Sequence, residues 1–305
     1  FVVQNATHIT CIGSRLDSKA TGTPIESFAR EAHITMIDID PTETGKFGDR
    51  VVGIHEDAKH FLQANIGSGL SYKSEGWLER VNEWKEKYPV VKKEYYEEQT
   101  VNPYVFIDEL SKKTPEDTIV CTDTGCAVAW VSQAWRWKKG QRFIHSFNQT
   151  PMGYGLPAAI GAIFAGAKGV VLVTGDGSLM MSIGELATVS KHKLPIKIFM
   201  FNNQGHAMCR QTEREWFQGK YCATSLSDLS FPQDFKEVSL SFGIPVIESI
   251  ETALKSEGSS FTEIIIPPEC DVIPKTKYGY PNEDSFPLLD RDEFNQQMIV
   301  KPYGE

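Results

Sequence analysis

Apolar positions along the chain fall into two patterns. Unbroken runs of β-branched and aliphatic residues, VVLVT at 170–174 and IKIFMF at 196–201, have the composition of strands covered on both faces, because a strand with one wet face would alternate. Between them, Ser182-Ile183-Gly184-Glu185 reads as a capping box that opens a helix over about 183–192, with Ser182 accepting from the third helical amide and Glu185 reaching back. Leu194-Pro195 closes that helix, so the stretch is a β–α–β unit. A third apolar strand, TIVCTD at 118–123, lies between a helix running from Asn102-Pro103 to before Pro115 and a helix over 126–137. Further on, the pattern predicts a helix over 234–242 and strands at 244–249 and 261–267. Near the start it predicts strands at 7–14 and 34–41 and a helix over 56–65. Trp77, Val81, Trp84 and Tyr88 recur at helical spacing, which places an amphipathic helix over Glu75 to Tyr88 with its apolar stripe in a core. The expected class is α/β, three-layer α/β/α with a mainly parallel sheet. Residues 1–66 form one piece, 67–101 a connection containing the amphipathic helix, and 102–305 the main domain with a Pro- and Tyr-rich tail from Cys270 to Pro287.

Each of the two buried strands delivers oxygen-bearing residues at its C-terminal end, Gly175-Asp176-Gly177 after the first and Asn202-Asn203 after the second. A right-handed crossover sets such strands close together, and ligands of open parallel sheets gather at the carboxyl ends. Asp176 and Asn203 are therefore expected to face one site. Magnesium takes oxygen ligands in octahedral geometry and commonly shares them with a phosphate. One carboxylate (Asp176), one amide oxygen (Asn203), one loop carbonyl (Gly205) and two phosphate oxygens nearly complete that set. Gly175 and Gly177 let the backbone approach a diphosphate, and Ser178 adds a donor. The helix N-terminus after Gly125-Cys126 offers a second place for phosphate.

GDG after a buried strand, followed 27 positions beyond its acid by the second Asn of Asn202-Asn203, resembles the signature of thiamine-diphosphate-dependent enzymes. The stretch FNQTPMGYGLPAAIGA at 147–162 is similar to the segment that cradles the aminopyrimidine in the acetohydroxyacid synthase (acetolactate synthase) branch. That resemblance implies the thiamine-diphosphate-binding fold, with thiamine diphosphate and Mg2+ as cofactors. It also implies that Met152 props the cofactor into its bent, reactive shape, that Thr150 supplies a carbonyl and that Met208 lines the site. Where the synthases read GQHQ this chain has Gly125-Cys126-Ala127-Val128, so only backbone contacts carry over. His206 is an acid–base candidate with a plain surface or packing role as its alternative, and Glu185 is already explained as a cap. The implied reaction is decarboxylation of a 2-oxo acid, pyruvate first, followed by carbon–carbon bond formation. Thr212 stands where the branched-chain synthases carry Trp, which points to a bulkier acceptor such as a keto-sugar or another aldehyde. A decarboxylase or oxidase on the same scaffold, and a degenerate non-catalytic member, remain as alternatives. A Rossmann-type nucleotide binder is disfavoured because no GxGxxG follows a strand.

Residues 1–66 resemble the closing half of the family's central, flavin-type Rossmann-like domain, with GSRLD (13–17) and DIDP (38–41) near the flavin position. FAD is left open, since Lys19 replaces the usual Arg. Family sites form between subunits, so a homodimer or tetramer is implied. The pyrimidine-binding domain and its glutamate are absent from these 305 residues, and Phe1 is not a start methionine. The chain is therefore expected to be a fragment or processed product that does not turn over alone. Composition changes little else. A net charge of −9 argues against nucleic acid and anionic membrane surfaces as partners. Six cysteines without a CxxC pair fit a reducing cytoplasm, and no apolar run is long enough for a membrane span.

Overall fold

In the computed structural model, which describes residues 1–68, 76–225, 227, 228, 231, 232, 234–276 and 279–304, the chain divides into two compact units. One comprises Phe1–Pro89 with Ile273–Glu305, the other Val90–Val272. The tail expected from Cys270 onward thus splits at Val272.

The first unit holds a parallel sheet of β1 (His8–Ile12), β2 (His33–Asp38) and β3 (Val51–His55), in that order. Its core gathers Cys11, Phe28, Ile34, Met36 and Val51. The amphipathic helix spans Trp77–Lys87; Glu75, its expected start, lies outside the described residues. Trp84 is buried, donates Nε1–H to Gln297 Oε1 at 2.9 Å and meets the Phe1 ring at 5.7 Å between centroids. The apolar stripe is thus consumed within its own unit. Buried Glu283 accepts from Arg30 at 2.6 Å and from the Tyr303 amide at 2.7 Å, which anchors the C-terminal segment to the same core.

The second unit is a five-stranded, wholly parallel sheet, in which β4 (Ile119–Thr122), β5 (Arg142–Ile144), β6 (Val170–Gly175), β7 (Ile196–Asn202) and β8 (Ser260–Ile265) run in the order β5-β4-β6-β7-β8. Side-chain alternation along β6 and β7 makes the three layers. Val171, Val173, Phe199 and Phe201 face one apolar cluster with Ile107, Leu110 and Trp130. Leu172, Ile198 and Met200 face the other with Leu156, Ala159, Leu186 and Val189. All seven central-strand residues are at most 1% exposed, each contributing about 1.5–3 kcal/mol by burial. The polar break in IKIFMF is satisfied: Lys197 Nζ donates to Ser256 O and Gly258 O, both at 2.6 Å, and to Ser256 Oγ at 2.9 Å, while burial pushes its ammonium pKa down.

Three local expectations are corrected. The chain is already helical at Asp176–Met180, passes through a 3-10 turn at Ile183–Glu185 and resumes as Leu186–Lys191, so no capping box forms. Ser182 Oγ is buried without a partner among the described residues, and Glu185 instead accepts from Thr188 Oγ1 at 2.9 Å. The 244–249 stretch makes a single bridge, Val246 to Phe261, rather than a strand, because Pro245 has no amide to extend the ladder. The helix over 126–137 stops at Ala134. Strands β3 and β5 lie outside the apolar pattern. Val52 is 65% exposed, and β5 is a three-residue edge strand. Among the described residues no helix is long and apolar enough to cross a membrane.

Candidate active site at the strand ends

Strands β6 and β7 pair in register up to Gly175 opposite Phe201, so their C-terminal ends lie side by side. Asp176 opens a short helix immediately after β6 and is 1% exposed. Its carboxylate collects three backbone amides, Oδ1 accepting from Gly177 at 2.7 Å and Oδ2 from Asn203 and Gly205, both at 3.1 Å. Asn203 Oδ1 accepts from the Gly205 amide at 3.1 Å as well. Burial pushes the Asp176 carboxyl up to about 6 against the opposing pull of the Gly177, Gly205, Gln204 and Asn203 amides. Dipoles alone compensate the ionised form poorly, and a cation held by Asp176, the Asn203 amide oxygen and a loop carbonyl would do so better. The Gly205 carbonyl lies 3.6 Å from where a Cβ on Gly177 would sit, so the donors are all hard oxygens gathered at one place, as magnesium requires. The residues fit the ion.

Opposite this pair, β4 ends at Thr122 and is followed by Asp123, and Gly125 at φ +80° turns the chain into the Cys126–Ala134 helix. No side chain caps that helix, and the first turn of a helix presents backbone amides suited to phosphate oxygens. The third wall is the loop after β5, where Thr150 (φ +44°) and Gly153 (φ +81°) take left-handed backbone and Met152 stands 37% exposed. The fourth comes from the Ala207–Trp216 helix and the residue before it. Met208 lies 3.9 Å from the position of a Gly125 Cβ, and the His206 ring packs over Gly177, where an added Cβ would meet it at 2.6 Å. Burial lowers the His206 imidazole pKa, which favours the neutral ring.

These walls enclose a cavity of about 280 Å3, and all twelve residues singled out from the sequence line it: Gly125, Cys126, Thr150, Met152, Gly175, Asp176, Gly177, Ser178, Asn203, Gly205, His206 and Met208. Thr124, Ala127, Trp130, Phe201, Ala207 and Cys209 complete the lining. Thr212 is not among them, and its hydroxyl donates to the Met208 carbonyl at 2.9 Å. A larger and more open hollow, about 490 Å3 around Glu213, Trp216 and Phe217, holds none of the twelve, and its walls supply no set of ligands comparable to the strand ends.

Asp123 was not singled out. It is fully buried and accepts from the amides of Thr124 at 3.0 Å, Gly153 at 2.9 Å and Gly155 at 3.0 Å. Its position at a strand end, matching that of Asp176, was the available signal.

The family description "Thiamine pyrophosphate enzyme, C-terminal TPP binding domain" matches residues 123–265, a span that contains every wall of the cavity. Residues 123–265 belong to the thiamine pyrophosphate enzyme family. Similarity extends beyond the TPP-binding domain. The chain is 31% identical over 312 residues to acetolactate synthase 2, chloroplastic, of Zea mays, covering 96% of the chain and 48% of that protein. Against the acetolactate synthase large subunit of Cyanidium caldarium it is 30% identical over 310 residues, 98% of the chain and 51% of the relative. Against the acetolactate synthase isozyme 2 large subunit of Escherichia coli (strain K12) the figures are 30% over 302 residues, 95% and 53%. The chain thus spans about half the length of these relatives.

Proposed function

We propose that the chain is the diphosphate- and magnesium-holding part of a thiamine-diphosphate-dependent carboligase that decarboxylates a 2-oxo acid, pyruvate in the first instance. The observation that carries this reading is the convergence of Asp176, tied to the Asn203–Gly205 loop, with the uncapped helix at Cys126 and with Met152 on one cavity. Asp176, Asn203 Oδ1 and the Gly205 carbonyl would hold the magnesium. Gly175, Gly177, Ser178 and the Gly125-Cys126 backbone would hold the diphosphate, with Thr150, Met152 and Met208 against the rings. Bound thiamine diphosphate supplies an electron sink for loss of carbon dioxide. His206, whose ring packs over Gly177, would exchange a proton with bound substrate.

The acceptor proposed is a keto-sugar or another bulky aldehyde. The support is the residue type: Thr212, whose hydroxyl donates to the Met208 carbonyl, is smaller than the Trp that the branched-chain synthases carry at the matching position. FAD stays a possible second cofactor of residues 1–66, where Asp17 and Asp40 cap Ser18–Thr21 and Pro41–Gly45. We also propose that residues 1–66 derive from a central domain, with 67–101 as a connection to the diphosphate-binding part. Exposed Phe147, Met152 and Met181 support a homodimer or tetramer, and the six free cysteines support a cytoplasmic, reducing location. No residue here can be given the role of the pyrimidine-domain glutamate, so the 305-residue chain should bind cofactor without turning over.

Product analysis of the longest gene product with pyruvate and a panel of aldehydes tests the reading. A new carbon–carbon bond is expected. Free acetaldehyde, or acetate with flavin reduction, would assign a decarboxylase or oxidase instead.

A further inference from the structure

We propose that Asp123 is a positioning residue that fixes Met152 relative to the diphosphate wall, and so selects for the ring portion of the cofactor rather than for its diphosphate. The proposal rests on the thiamine diphosphate reading. Met152 is 37% exposed, so packing does little to hold it. Its backbone has to be held instead, and the flanking loop is unfavourable by itself, with Thr150 at φ +44° and Gly153 at φ +81°.

Asp123 supplies the tie. One oxygen accepts from the amide of Gly153, the residue next to Met152, and the other from Gly155. The same carboxylate accepts from Thr124, which leads into the helix start at Cys126. One side chain therefore joins the Met152 wall to the diphosphate wall. Among the described residues no cation pairs with it, so its charge is spent entirely on these amides, and hydrogen bonds to an ionised acceptor are about twice as strong as neutral ones. The fit is close: a Cβ on Gly155 would lie 3.0 Å from both the Asp123 amide nitrogen and Oδ2 and 2.9 Å from Leu172 Cδ1.

The test compares two probes on the 305-residue chain with magnesium present, thiamine diphosphate and inorganic pyrophosphate, titrated into wild type and Asp123→Asn. An asparagine keeps only one acceptor oxygen, so it turns its NH2 group toward either the Gly155 amide or the Thr124 and Gly153 amides, and one of the two ties to the loop is lost. The expected result is a drop of about tenfold or more in thiamine diphosphate affinity with pyrophosphate affinity changed less than about threefold. A parallel fall for both probes, or no fall for either, overturns the role. Gly153→Ala displaces the same loop without altering Asp123, since its Cβ would meet Met181 Cβ at 2.7 Å. It should reproduce the selective loss, and it decides the matter if Asp123→Asn does not fold. A wild-type chain that binds both probes equally would overturn the cofactor reading itself, a result distinct from failure of the Asp123 role.

Discussion

Asp123 and Asp176 follow neighbouring strands of one sheet, β4 and β6, and each collects three backbone amides from its own and a distant segment. The surroundings separate them. Asp123 is fully enclosed and spends its acceptors on fixing a loop. Asp176 is almost as buried, yet it lines the cavity, with an amide oxygen and a loop carbonyl gathered beside it. The same device, a carboxylate gathering amides at a strand end, thus serves as a fastener where it is sealed and as a cation ligand where one side stays open.

The largest effect that would sharpen this contrast is in pH. The Asp176 carboxyl is raised from 3.8 to about 6 by burial. Between roughly pH 4 and 6 the folded chain holds a proton that the unfolded chain has lost. The resulting stability is fully present below the unfolded value and is lost as pH rises through the folded one, a change of about 3 kcal/mol. Thermal unfolding across this range should show wild type gaining stability on acidification relative to Asp176→Asn, which lacks the group. Parallel profiles would mean that Asp176 is no more strained than an ordinary surface acid.

A smaller effect comes from adding one methyl beside each acid. Gly155→Ala meets backbone at Asp123 and the packed Leu172 and should cost about 1–3 kcal/mol, as overpacking does. Gly177→Ala meets the half-buried His206 ring, which can swing away, so its stability cost should be the lesser of the two. Chemical denaturation of both variants checks the order, and a reversed order would break the distinction between the sealed and the open site.

What was legible in the sequence follows from the same physics. Strands β6 and β7 are covered on both faces, so their residues are an unbroken apolar record, and whatever ends them is marked by contrast. Asp176, Asn203 and the glycines around them stand out for that reason. Strand β5 has three residues at a sheet edge, too few to leave a pattern. The capping box at Ser182 failed because the chain becomes helical earlier, at Asp176, which leaves Ser182 Oγ without a partner among the described residues. The tie from Asp123 to Gly153 and Gly155 spans 30 and 32 positions. It depends on where β4 and the loop after β5 meet in space, and no local spacing encodes that.

The most direct measurement is titration calorimetry of this chain with thiamine diphosphate, with and without magnesium, for wild type and Asp176→Asn. The account predicts binding that requires magnesium and weakens by about a hundredfold or more in the variant, a loss of roughly 2.7 kcal/mol. Binding that is indifferent to magnesium, or equal in the two proteins, would contradict it.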